Sequence, residues 1–120
     1  MTARRLDDAV PFRTLDGSMI REWIHPRQGG VEAQSIAEAT VAAGTRTERH
    51  HHPRTEEVYL GLTGAGTVSV DGVDHRLEPG VAVVIRRGLS HDVVADDASA
   101  LVFLCVCSPA YADDDTVVDS

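Results

Sequence analysis

Long apolar runs, clustered basic residues and cysteine-rich patterns are all missing from this chain of 120 residues. No apolar stretch approaches the roughly 20 residues that a membrane-spanning helix needs, and the basic start of the chain leads into Leu6, Asp7 and Asp8 rather than a signal-peptide core. The net charge of −8 repels phosphate backbones, and the arginines are scattered. We therefore expect neither a membrane nor a nucleic-acid partner.

Cysteine is scarce, because only Cys105 and Cys107 occur. At positions i and i+2 of a strand they share a face, but their Cα atoms would lie near the outer limit for an unstrained disulfide. We interpret them as reduced thiols of a cytoplasmic protein. They either pack as small hydrophobic side chains or line a pocket or metal site.

Short strand-like segments separated by glycine and proline make up most of the chain. With 42% hydrophobic residues and this length, one domain with one core is expected. Asp71-Gly72 predicts a two-residue hairpin, and residues 81–85 predict a fully buried strand. Further strands are predicted over residues 18–25, 34–41, 57–62, 67–70, 73–77 and 100–106. This pattern indicates an all-β sandwich or barrel.

Four side chains that bind metals stand at a spacing that favours one site: His50, His52, Glu57 and His91. In an extended strand His50 and His52 point to the same face, while His51 points away. A short turn returns Glu57 beside them, and a neighbouring strand delivers His91. Three nitrogens and one carboxylate oxygen suit one divalent transition metal, with iron, zinc or manganese expected and nickel or copper also compatible.

Several nearby residues have two interpretations. Glu57 is either a ligand or a general base, and Tyr59, which shares its strand parity, is either a hydrogen-bond donor in the cavity or a packing residue. Arg86 and Arg87 either bind a substrate carboxylate or face solvent. His25 and His75 lack a same-face partner, so we place both outside the site.

These residues resemble the two motifs of the cupin superfamily, small jelly-roll β-barrels. The first motif is matched at every defining position, by Gly44, His50, His52, Glu57 and Gly64. The second is matched by Gly80, Gly88 and His91, whereas Arg86 replaces its proline and Ala95 its asparagine. Neither replaced residue is a metal ligand in the family.

The resemblance implies a single-domain cupin barrel with His50, His52, Glu57 and His91 as its metal ligands. It also implies a homodimer, since single-barrel cupins often dimerise. For function it implies a metal-dependent enzyme acting on a small oxygenated or carboxylated molecule, either a dioxygenase or an isomerase or cyclase of the tailoring type. The alternative is a non-catalytic, metal-containing cupin that binds a small molecule.

The barrel is predicted to span residues 18–108. Residues 1–17 are expected to form an N-terminal arm, and residues 109–120 a polar C-terminal tail. Within that tail, Asp113, Asp114 and Asp115 form either a solvated acidic face or a cation site.

Overall fold

The architecture is built almost entirely from β-strands. The computed structural model describes residues 1–119, and in this range three short 3-10 helices accompany eleven strands: β1 (Phe12–Arg13), β2 (Met19–Ile24), β3 (Ser35–Val41), β4 (His50–His51), β5 (Glu56–Thr63), β6 (Gly66–Val70), β7 (Val73–Leu77), β8 (Ala82–Ile85), β9 (His91–Ala95), β10 (Leu101–Ser108) and β11 (Val117–Val118). The 3-10 helices are Leu6–Asp8, Pro26–Gln28 and Asp113–Asp115. None of the helices is long or apolar enough to cross a membrane.

The strands form two antiparallel sheets. The six-stranded sheet has the order β1-β2-β3-β10-β5-β8, and the five-stranded sheet has the order β11-β4-β9-β6-β7. Neighbours in each sheet are often distant in sequence, as expected for a jelly roll. The predicted all-β jelly-roll fold is confirmed.

A hydrophobic core fills the space between the sheets. The buried residues alternate along β6 and β9, because each strand turns one face inward and one outward. The Tyr59 and Phe103 rings lie 4.7 Å apart between centroids. The other core residues are aliphatic: Ile20, Ala39, Val41, Val68, Val70, Leu77, Val83, Ile85, Val93, Ala95 and Leu101.

The predicted hairpin between β6 and β7 is confirmed. Asp71 and Gly72 have φ angles of 49° and 80°, and Val70 pairs with Val73 across the turn. Positive φ at both central residues is the type I′ geometry that Asp-Gly favours. Glycine is also required at position 64, because its φ is 69° and a Cβ there would lie 2.0 Å from the carbonyl oxygen of Ala100.

The prediction that residues 81–85 form a fully buried strand is wrong. Ala82 and Val84 are exposed in β8, whereas Val83 and Ile85 are buried. The reason is that only one face of the six-stranded sheet meets the core, and at the edge position of β8 the outward side chains have a neighbouring strand on one side only. A short apolar run does not reveal which of its faces is covered.

The terminal segments contribute strands to both sheets. β1 pairs with β2, and β11 pairs with β4 so that Val118 lies opposite His50. The predicted division of the chain into arm, barrel and tail stays a prediction.

Candidate metal centre

Both sheets supply side chains to one buried cluster. His50 in β4 lies directly opposite His91 in β9, and Glu57 enters from β5 of the other sheet. His52 follows β4 immediately. The four predicted ligands are buried, and one ligand atom from each lies within 4.8 Å of all the others. The structure therefore brings together the four residues that the sequence singled out.

The shortest contacts in the cluster involve one carboxylate oxygen. Oε1 of Glu57 lies 3.0 Å from Nε2 of His52 and 3.1 Å from Nε2 of His91. The His50 and His91 ring centroids are 4.3 Å apart, as their cross-strand pairing requires. The Nε2 edges of His52 and His91 thus meet at Oε1 of Glu57, beside the His50 ring.

Backbone carbonyls orient all three imidazoles. Nδ1 of His50 lies 2.8 Å from the Glu48 carbonyl oxygen, Nδ1 of His91 2.9 Å from that of Leu89, and Nδ1 of His52 3.1 Å from that of Asp115. A carbonyl oxygen only accepts hydrogen bonds, so in each case Nδ1–H donates. In its neutral form each ring therefore has its lone pair on Nε2, which points to the cluster as in a metal-binding histidine.

This arrangement leaves a deficit of positive charge. Oε1 of Glu57 faces Nε2 of His52 and Nε2 of His91, and across residues 1–119 Oε1 of Glu57 and Nε2 of His91 are buried without a hydrogen-bond partner. Buried polar atoms without partners are rare, and a cation between them would satisfy both. Three imidazole nitrogens and one carboxylate therefore fit a divalent transition metal.

The carboxylate charge is retained in this setting. Burial raises the pKa of Glu57, but the imidazoles of His52 and His91 outweigh burial and hold that pKa well below its usual range. Burial lowers the pKa of His50, and the nearby His91 lowers it further. Burial lowers the pKa of His52, but the hydrogen bond to Glu57 and the Glu57 charge outweigh burial and raise that pKa on balance. Without a metal, a proton between Glu57 and the imidazoles balances the carboxylate charge, and a metal ion would displace that proton to reach the Nε2 lone pairs.

A thiol holds the second oxygen of Glu57. Cys107 in β10 lies opposite Glu57 in β5, and its Sγ donates a hydrogen bond to Oε2 over 3.2 Å. Burial, with the Glu57 charge, raises the pKa of Cys107 far above its ordinary value, so the thiol keeps its proton. Cys105 and Cys107 are free, and both line the cavity next to the cluster. Cys107 is also buried and Cys105 packs against the core, so both thiols pack as small side chains and line the cavity as well.

The C-terminal segment supports His52 from behind. The Asp115 carbonyl accepts its Nδ1–H, and the Asp115 carboxylate accepts hydrogen bonds from the backbone N–H groups of Arg54 and Thr55 and from Nε of Arg54. Asp115 is only 4% exposed. The prediction of a solvated acidic face over residues 113–115 is therefore wrong for Asp115, because its carboxylate accepts hydrogen bonds from the turn that follows His52.

The remaining predicted residues divide between the cavity and the surface. Tyr59 is buried and lines the cavity, and burial followed by the Glu57 charge raises its pKa well above the usual value. Arg86 and Arg87 are exposed and do not line the cavity.

The two histidines placed outside the site remain outside it. His75 is exposed, and His25 accepts a hydrogen bond from the backbone N–H of Arg27 at the start of a 3-10 helix. The prediction that neither belongs to the metal cluster is consistent with these positions.

The sequence did not reveal most of the cavity residues, among them Asp16, Tyr111 and Thr116. Oδ2 of Asp16 lies 3.6 Å from Nε2 of His50. Asp16-Gly17 is a readable turn signal, but nothing local shows that the turn folds over the cluster. Tyr111 and Thr116 reach the site through long-range contacts that have no sequence signature.

Comparison with known families agrees with this geometry. The model of the cupin domain family matches residues 37–107, which is more than half of the chain and contains all four clustered residues. A protein of Methanocaldococcus jannaschii, MJ1618, is 34% identical over 112 residues, which cover 93% of this chain and 90% of that protein.

Solved structures share the fold at low sequence identity. Pac13 of Streptomyces, a nucleoside dehydratase, superimposes with a TM-score of 0.81 at 11% identity, covering 99% of this chain and 91% of its own. The polyketide cyclase RemF of Streptomyces resistomycificus gives a TM-score of 0.78 at 22% identity, covering 90% of this chain and 79% of its own. At these identities the likeness concerns the fold alone.

Proposed function

The chain belongs to the cupin family, and we propose that it is an enzyme that uses one metal ion for non-oxidative proton-transfer chemistry on a small molecule. The reaction class is isomerisation, cyclisation or elimination. The observation that carries the proposal is the set of three imidazole Nε2 atoms and one ionised carboxylate beside a cavity that also holds Tyr59. The dehydratase and cyclase names of Pac13 and RemF support this class.

The chain's own residues divide the work as follows. When bound, a divalent ion polarises the substrate oxygen that it contacts and stabilises negative charge developing there. His50, His52 and His91 would hold the ion through Nε2, because the hydrogen bond of each Nδ1 to a carbonyl fixes the ring. We assign Glu57 the role of ligand, because Oε1 faces two of these imidazoles and Oε2 is held by the Cys107 thiol.

Tyr59 is proposed as the proton donor. Burial and the Glu57 charge raise its pKa, so the phenol is protonated at neutral pH, and its ring centroid lies 6.0 Å from that of His91. The proton that leaves the substrate carbon would pass to solvent in the cavity, and the phenol would return a proton to the substrate. Substrate binding by Arg86 and Arg87, a homodimeric state and a cytoplasmic location stay predictions. So does the metal, for which zinc or manganese suits this chemistry better than the redox-active ions.

Metal content is the first test. Elemental analysis of tag-free protein, purified without added metal or chelator, should give close to one metal ion per chain. His52→Ala and His91→Ala should each lose most of it because a three-ligand remnant binds more weakly. His75→Ala removes an exposed histidine and should retain metal. Thermal unfolding of each variant separates loss of ligand from loss of fold, and retained metal in both ligand variants would contradict the site.

Reaction class is tested in the same protein. In deuterated water, proton NMR should show exchange of the carbon-bound hydrogen next to the carbonyl in a panel of small α-hydroxy ketones, with no dioxygen uptake. Tyr59→Phe should slow exchange by about 10²-fold or more while metal content stays unchanged. Dioxygen consumption with enediols or catechols would instead identify an oxygenase, and metal without any turnover would favour the binding protein.

A further inference from the structure

In the turn between β1 and β2, a charged side chain is buried and the apolar side chain next to it is exposed, which is the reverse of the usual pattern. Leu15 is 51% exposed, whereas the adjacent Asp16 side chain is only 15% exposed and lines the metal cavity. Taking a carboxylate out of water is costly unless it is paired or hydrogen-bonded, while an apolar side chain would be favoured inside. The inversion places a carboxylate on the wall of the cavity.

One oxygen of this carboxylate is fully committed to the turn. Oδ1 accepts hydrogen bonds from Oγ1 of Thr14 over 2.6 Å, from the backbone N–H of Ser18 over 2.9 Å and from Oγ of Ser18 over 2.7 Å. The Asp16 carbonyl also accepts from the Glu48 backbone N–H. Since the Glu48 carbonyl in turn orients His50, the turn and this ligand are mechanically linked.

The other oxygen is free to contact a ligand. Oδ2 lies 3.6 Å from Nε2 of His50, and that nitrogen presents a lone pair rather than a proton. Among residues 1–119, the Asp16 carboxylate has no other histidine and no arginine within 4.0 Å. Asp16 therefore borders the cluster on its His50 side and leaves one acceptor exposed to the cavity.

Apart from the imidazoles of the cluster and the metal that they would hold, no cationic group lines the cavity within residues 1–119. The chain contains no lysine, and within residues 1–119 none of its arginines lines the cavity. The other acidic residue on the wall besides Glu57 is Glu22, whose Oε1 is paired with Arg27 over 2.5 Å. The unpaired negative charge of the wall is thus concentrated at Asp16.

We propose that the charge of Asp16 determines which molecules bind at the metal. It disfavours anions, and it favours a neutral hydroxylated molecule or a cation whose O–H or N–H donates a hydrogen bond to Oδ2. This inference rests on the proposed function, because it treats the metal cavity as the substrate site. It narrows the expected substrate from oxygenated or carboxylated molecules to those without a carboxylate at the reacting end. A negative charge facing the ligand position repels an anion and accepts a hydrogen bond from a donor.

The test measures binding of two small probes to the Co²⁺-loaded full-length protein. Azide is an anion, and imidazole is neutral at about pH 8. Visible absorption of Co²⁺ reports the affinity of each. Asp16→Asn should bind azide about tenfold more tightly than the wild type, since removal of one charge near the metal is worth at least this much in a partly dry cavity. Imidazole keeps one N–H that can donate to Oδ2, so its affinity should stay the same or fall by a few fold and should not rise.

The controls separate local charge from other effects. Asp74→Asn makes the same chemical change at an exposed position in β7 and should leave both affinities unchanged. Asp16→Ser also removes the charge while keeping a short side chain that suits the turn, so it replaces Asp16→Asn if that variant unfolds.

Two outcomes would overturn the inference. An unchanged ratio of azide to imidazole affinity in both charge-removing variants would make Asp16 a turn residue only. Loss of stoichiometric Co²⁺ in folded Asp16→Asn would make it a metal ligand instead. The measurement needs no turnover, so a protein that shows the charge selectivity but no proton exchange contradicts the proposed reaction and leaves this inference intact. Wild-type protein that takes up no Co²⁺ contradicts both.

Discussion

The two ends of the barrel interior contrast sharply, although the same strands build both. At one end the inward residues are Ser35 in β3, Glu57 in β5, His91 in β9 and Cys107 in β10; at the other they are Val41, Gly61, Ala95 and Leu101. Because neighbouring strands are antiparallel, the polar residues come first in three of these strands and last in β10. Whether the polar residue stands near the start or near the end of a strand therefore depends on the direction in which that strand runs through the barrel.

The difference teaches how stability and function are divided. The apolar end buries Leu77 and Leu101 completely, so its stabilisation comes from packing and from removal of apolar surface from water. The polar end buries a carboxylate and three imidazoles, which cost free energy until a cation satisfies them. Stability at the first end should thus be independent of metal, and at the second it should depend on metal.

The largest effect should come from the apolar end. Leu77→Ala removes a fully buried side chain from the core, so unfolding free energy should fall by about 2–5 kcal/mol. Urea denaturation measures this, with and without a chelator. If the two ends are independent, the chelator should lower the stability of Leu77→Ala and of the wild type by equal amounts. If the chelator no longer lowers the stability of Leu77→Ala, the two ends of the barrel interior do not contribute to stability independently.

A smaller effect, dependent on pH, should come from the support behind the polar end. Asp115→Asn weakens the hydrogen bonds from Arg54 and Thr55 and should cost about 1–3 kcal/mol at neutral pH. Burial raises the pKa of Asp115, but the hydrogen bonds from Arg54 and Thr55 outweigh it and lower the pKa on balance.

The pH dependence has a definite sign. Because the folded-state pKa of Asp115 lies below its unfolded value, its stabilisation is present above the unfolded pKa of about 3.9 and is lost as pH falls through the folded pKa. The difference in unfolding free energy between wild type and Asp115→Asn should therefore be constant from neutral pH to about pH 5 and shrink under more acidic conditions. A difference that grows on acidification would contradict this assignment. Asp114→Asn, at a far more exposed carboxylate, is the matched control.

The polar and apolar ends were not equally readable from sequence. The four metal ligands were identified because alternation in a strand and the spacing of His50, His52 and Glu57 are local properties, and Asp71-Gly72 specified its hairpin for the same reason. The supporting role of Asp115 was not predictable, because its partner Arg54 lies 61 residues away and no local pattern indicates that contact. Asp16 was missed likewise, since only the folded turn shows that it faces inward.

The apolar side of the comparison has a parallel limit. Residues 82–85 have the composition of a buried strand, yet Val84 is 62% exposed because β8 is the edge of its sheet. Strand existence was predictable from composition and turn signals. The order of strands within a sheet was not, because it depends on pairing between distant segments.

The smallest effect should come from Cys107, which lies at the polar end beside the metal ligand Glu57. Cys107→Ala removes the hydrogen bond that holds Oε2 of Glu57, so metal affinity should fall about tenfold, the lower end of what losing such an outer contact costs. Cys107→Ser keeps a donor of similar shape and should restore most of the affinity. Cys105→Ala is the matched control, because this thiol lines the same cavity but lies opposite Tyr59 rather than Glu57. Competition against a chromophoric chelator measures all three variants, and equal affinity in Cys107→Ala and Cys105→Ala would show that Glu57 needs no thiol to stay in place.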